Sequence, residues 1–151
     1  MDYRYTECGL DNVIIGGVSF IIDDAGDEVV NIPNVTGLHN AIAMGIITRE
    51  TAISGKELRF LRTEMGMTQA ELAVMLHREP LAVSRWEREE VPIDSNVETL
   101  IRLFVGETLG LTLDASVKEL SGWSIPHAKE EPIEIDGSDP KNYRPKPKIA
   151  A

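Results

Sequence analysis

Apolar positions recur along this 151-residue chain with two periods. Through residues 3–32 they are aromatic or β-branched and punctuated by glycine, as in YRYTECG and NVIIGGVSFII. That pattern predicts β structure. Residues 23–27, Asp-Asp-Ala-Gly-Asp, predict a turn, and residues 28–32 a return strand. A small antiparallel meander of about three strands is expected. From residue 37 the period lengthens. Leu38, Ala41, Ile42 and Gly45 share a helical stripe over residues 37–45. Residues 46–50 read as a connection.

Helix starts are then marked by their caps. Ser54 with Glu57 forms a capping box that opens a helix to about residue 64, with Leu58, Leu61 and Met65 inward. Thr68 with Glu71 forms another, followed by Leu72, Ala73 and Leu76 on one stripe. His77-Arg78-Glu79 breaks the pattern. Pro80 suits the first turn of the next helix, where its missing N–H is not needed. Val83 and Trp86 point inward from that helix, and Ser84, Arg85 and Arg88 outward. Asp94 or Ser95 caps a longer helix whose Val97, Leu100, Ile101, Phe104 and Val105 make a wide apolar stripe. Asp114 caps a last short helix with Val117, Leu120 and Trp123 apolar. Leu109, Leu111 and Leu113 suit either a dimer contact or core packing.

Residues 68–87 are thus two short helices joined by a tight turn, the second carrying an outward arginine. This is the layout of a helix-turn-helix, whose second helix enters the major groove of DNA. A two-helix hairpin of an unrelated helical domain is the alternative. TQAELA followed by VSRWE resembles the Xre/lambda-repressor class of regulators, over residues 54–104. YRYTECGLDNVIIGGV resembles the N-terminal region of MqsA-type antitoxins, which often carry two CxxC pairs; this chain has the single Cys8. The resemblance implies that Arg62 pairs with Glu87 to fix the recognition helix. It also implies that Gln69 contacts a backbone phosphate, a contact that sets register rather than sequence. Base readout then falls to the outward face of residues 80–85. Arg85 suits a bidentate contact with guanine. Ser84 suits a base edge or a phosphate. Leu81 and Ala82 stand where many relatives carry polar readers and offer only apolar contact, as to a thymine methyl. Arg78 and Arg88 suit phosphate.

Charge complicates that reading. The net charge is −10, whereas phosphate neutralisation supplies much of the affinity for DNA. The acid is unevenly placed. Residues 1–53 carry two basic against eight acidic residues, and residues 54–90 six against seven. The motif therefore keeps its arginines, and one copy is expected to bind weakly, which favours a dimer. Asp23, Asp24, Asp27 and Glu28 form an acidic cluster that suits a solvated hairpin turn, or a cation or basic partner. Cys8 suits a packed small side chain, or a ligand or reactive thiol. His39 has no second metal ligand placed near it. One cysteine excludes an internal disulfide and a multi-cysteine zinc site within one chain. From Pro126 onward five of the eight prolines occur with mixed charge and one aromatic, Tyr143. That composition predicts a disordered tail.

The expected fold class is α+β: an N-terminal β-rich module over residues 1–50, a helix-turn-helix domain with C-terminal helices over residues 54–123, and the tail over residues 126–151. No apolar run is long enough to span a membrane. The start, MDYRYTECG, predicts no secretory signal. A cytoplasmic setting follows. No paired carboxylates, activated nucleophile, phosphate loop or metal cluster is spaced for catalysis, so neither enzyme nor cofactor is expected. Three functions fit. One is a dimeric repressor bound to double-stranded operator DNA. The second is the antitoxin of a toxin–antitoxin pair that represses its own operon, with a toxin protein as partner. The third is a protein-interaction adaptor with a vestigial helix-turn-helix.

Overall fold

The computed structural model describes residues 2–113, 115–123 and 132–146. The chain is α+β and divides into two compact units. The first joins Met1–Gly45 with Pro132–Ala151, and the second is Ile46–Glu131. The second unit therefore lies in the chain between two segments of the first.

The first unit is built on β2 (Val13–Gly16), where Val13 and Ile15 are fully buried. On one side it pairs antiparallel with β1 (Tyr3–Arg4). On the other it pairs in parallel with β5 (Ile133–Asp136), setting Val13 opposite Ile133 and Ile15 opposite Ile135. The antiparallel β6 (Arg144–Pro145) completes the order β1-β2-β5-β6. The expected disordered tail is thus corrected over residues 132–146. Ile133 and Ile135 alternate with Glu134 and bury on one face of the sheet. A four-residue strand can do this amid proline-rich sequence because β2 already presents an apolar edge.

The expected three-stranded meander is also corrected. β3 (Ser19–Ile22) and β4 (Glu28–Asn31) form a separate antiparallel hairpin. The acidic cluster is its turn. Asp23 Oδ1 accepts from the N–H groups of Ala25 and Asp27 at 3.0 and 2.8 Å, and Gly26 supplies the positive φ of 84°.

Helix α1 (Val35–Ile47) runs longer than the expected residues 37–45. Asn34 Oδ1 accepts from Gly37 N–H at its start, while Asn34 Nδ2 donates to Pro140 O at 2.9 Å. At its end Ile46 and Ile47, expected in a connection, are fully buried. Gly45 admits Ile133: a Cβ there would lie 2.9 Å from the isoleucine methyl.

In the second unit come α2 (Gly55–Glu64), α3 (Gln69–Leu76), α4 (Pro80–Glu87), α5 (Ser95–Leu109) and α6 (Val117–Trp123). Both capping boxes are formed. The Thr68 bonds hold the Glu71 carboxyl below its ordinary pKa, so this contribution to stability is present above the unfolded pKa and is lost as pH falls through the depressed folded one. Leu58, Leu61, Leu72, Ala73, Leu76, Val83, Ile101, Val105 and Leu120 are buried in the core. Asp94 caps α5, and Asp114 lies outside the described residues. Ser116 accepts from Glu119 N–H at the start of α6.

The inward face of α5 differs from the expected stripe. Leu100 is 40% exposed and Phe104 half-buried, whereas Glu98, Arg102 and Gly106 are buried. The cause is residues 47–53, whose carbonyls turn inward. Arg102 donates to Ile47 O, Arg49 O and Thr51 O at 2.9, 2.8 and 2.6 Å. Its Nη2 lies 3.2 Å from Glu98 Oε1, which also accepts from Ile53 N–H at 2.6 Å. Arg49 pairs with Glu57, and the Trp123 ring lies 5.5 Å from the Arg102 guanidinium. A leucine at position 102 would leave those carbonyls dry.

Ile135→Ala removes buried volume from the β2–β5 pairing. It should cost the first unit about 2–5 kcal/mol, read by urea unfolding. A wild-type midpoint would return residues 132–146 to a solvated tail.

Candidate nucleic-acid interface

The turn between α3 and α4 depends on His77. Its φ of 56° is left-handed, which closes α3 and redirects the chain. Arg78 N–H then returns to Ala73 O at 2.9 Å. Glu79 is extended, and Pro80 sits in the first turn of α4. Val83 and Trp86 anchor α4 from beneath. Its C-terminus is held against α2 at Gly55: a Cβ there would lie 2.3 Å from Trp86 O and 2.7 Å from Glu87 O. Only glycine allows that approach, which sets the positive start of α2 against the negative end of α4.

A second hold comes from Glu87, which is buried. It accepts from Arg62 Nε at 2.6 Å and Nη2 at 3.0 Å, while Arg62 Nη1 donates to Met67 O. The bonded carboxylate raises the already high pKa of the guanidinium, and partial burial works against it. Gln69 joins the same carboxylate, donating from Nε2 to Glu87 Oε1 at 3.0 Å. One donor of the residue expected to reach phosphate is therefore turned toward Glu87.

On the outer side of α4, Leu81 is 53% exposed, Arg85 and Arg88 are exposed, and Ala82 and Ser84 are half-buried. Arg78, just before the helix, lies 3.7 Å from Asp94. Arg88 lies 2.9 Å from Glu90 and donates to Ser84 O at 3.3 Å. Arg85 has no ion pair among the described residues. It is the open cation of α4, flanked by Arg78 and Arg88, which are paired with carboxylates.

The other candidates do not join this site. His39 Nε2 is hydrogen-bonded to the Tyr5 hydroxyl at 2.9 Å. Cys8 is half-buried. Among the described residues no group of three or more His, Cys, Asp or Glu is placed to hold a metal ion. No helix there is long and apolar enough to cross a membrane. Sequence reading missed Gly55 and Asp94 as parts of this site. A glycine straight after a capping serine was the available signal for the first; for Asp94 only its use as a cap was readable.

Comparison with protein families, with curated proteins and with solved structures finds no match to this chain.

Gly55→Ala should force α2 and α4 apart and destabilise the second unit by about 1–3 kcal/mol, read by thermal unfolding. An unchanged melt would mean that α4 is not seated on α2 in this way.

Proposed function

We propose that this chain is a sequence-specific DNA-binding regulator that acts as a dimer in the cytoplasm, with no catalytic role. The observation that carries the reading is Arg85: an exposed guanidinium with no ion pair among the described residues, on a helix whose roll is fixed by Arg62, Gln69 and Glu87. A fixed roll is what bidentate recognition of guanine needs, because two parallel hydrogen bonds tolerate little rotation. The resemblance of residues 54–104 to Xre-type regulators supports it. The dimer follows from charge. Residues 54–90 carry six basic against seven acidic residues, so one copy gains little from phosphate. Two copies double the contacts and place recognition helices about 34–36 Å apart on a palindromic operator.

A second reading has its own observation. The β3–β4 hairpin exposes Ile21, Ile22 and Val29 beside Asp23, Asp24, Asp27 and Glu28, with no basic residue in either strand or the turn. Isolated two-stranded hairpins are marginal in water. The surface suits a basic partner protein, as the antitoxin or adaptor readings require.

Arg85→Ala should cost about 1–3 kcal/mol on the preferred sequence and little on others, measured by titration at fixed salt. Gln69→Ala should weaken all sequences, the preferred one most, because it also removes a donor that fixes the roll of α4. Retained sequence preference in Arg85→Ala would remove Arg85 as the reader. For the second reading, Ile21→Lys should abolish capture of a basic partner while leaving DNA affinity unchanged. Loss of DNA binding with Ile21→Lys would instead assign the hairpin to the DNA-binding assembly.

A further inference from the structure

We infer that Asp94 and Glu90 act as charge stops on the recognition surface, holding Arg78 and Arg88 until DNA phosphate displaces them. This rests on the DNA-binding reading above. The two carboxylates are placed differently but do the same thing. Asp94 is not a swinging side chain. Its Oδ1 accepts from the N–H groups of Asn96 and Val97 at the start of α5, which leaves Oδ2 presented to Arg78 at 3.7 Å. Glu90 reaches Arg88 at 2.9 Å, and the same Nε also donates to Ser84 O, so the guanidinium lies back along α4. Both pairs are open to water, with side chains 43% and 43% exposed in the first and 57% and 48% in the second. Exposed pairs of this kind are weak. A phosphate can therefore replace the carboxylate at little cost, but while the carboxylate stays it cancels the charge. Of its three arginines the surface consequently offers Arg85 first, and it recruits Arg78 and Arg88 only where docking is close enough to exchange their carboxylates for phosphate. That arrangement lowers the sequence-independent part of binding and spares the base contact.

The test uses the full chain, a mixed-sequence DNA duplex and a salt series. Asp94→Asn keeps the cap, because asparagine also accepts from the first-turn N–H groups. Glu90→Gln is an exposed, isosteric change. Each should tighten binding about two- to fivefold and steepen the slope of log affinity against log salt by about 0.9. The control is Glu107→Gln, an equal charge change on the same helix. It lies about 20 Å along the axis from Asp94 and beyond the screening length, so it should change neither quantity. The gain from Asp94→Asn should vanish in an Arg78→Ala background. A gain that survives there, or an equal gain from Glu107→Gln, overturns the charge stop in favour of plain repulsion of phosphate. Unchanged slopes in both variants, with the wild type bound, overturn it and leave the DNA-binding reading standing. Absence of binding by wild type and variants alike overturns both.

Discussion

Helix α4 is eight residues long, too short to hold its own orientation in water. What fixes it is the buried carboxylate of Glu87. Three donors from α2 and α3 converge on its two oxygens, so α4 is tied at once to the helix before the motif and to the first helix of the motif. Trp86, one residue earlier, fills the core beneath. Packing sets the depth of α4, and the carboxylate sets its roll. Removing Arg62 would leave a buried charge short of its main partner, which is the costly way to break such a pair. The outward aim of Arg85 therefore depends on Arg62, Gln69 and Glu87.

The second buried ionic group solves a different problem. Residues 48–53 follow α1 without forming regular structure, and the buried backbone carbonyls at Ile47, Arg49 and Thr51 must find donors. Arg102 supplies them from one side chain, and Glu98 takes the N–H of Ile53 in return. Burial pushes the Arg102 pKa down, and Glu98 acts against that shift. Buried ion pairs add little net stability compared with apolar packing. Their use here is geometric: they seat a connecting segment on α5 where no apolar side chain could satisfy it.

These two networks explain which parts of the chain were legible. Helix starts were, because Ser54–Glu57, Thr68–Glu71 and Pro80 carry local chemistry that acts over three or four residues. The Arg62–Glu87 pair came only through resemblance, since 25 residues separate its partners. The inward face of α5 was misassigned because periodicity counts apolar side chains, and Arg102 is buried for its donors. The parallel pairing of Val13 with Ile133 was invisible, since nothing local to either strand marks a partner so remote in the chain. Proline content around Ile133 then argued the wrong way, although the Ile-Glu-Ile alternation was present.

That remote pairing changes how the two units can be separated. The chain leaves the first unit near the end of α1 and returns to it at β5, so the second unit is joined to it in the chain at both ends. Removing residues 1–53 would strip β5 and β6 of their sheet and would also take Arg49, Thr51 and Ile53 from the Arg102 cluster. A truncation of that kind damages both units and reports on neither. Single substitutions on exposed strands or helix faces keep the sheet and the cluster intact. In a discontinuous unit, the roles of the acidic hairpin and of the arginine surface are separable by side chain and not by segment.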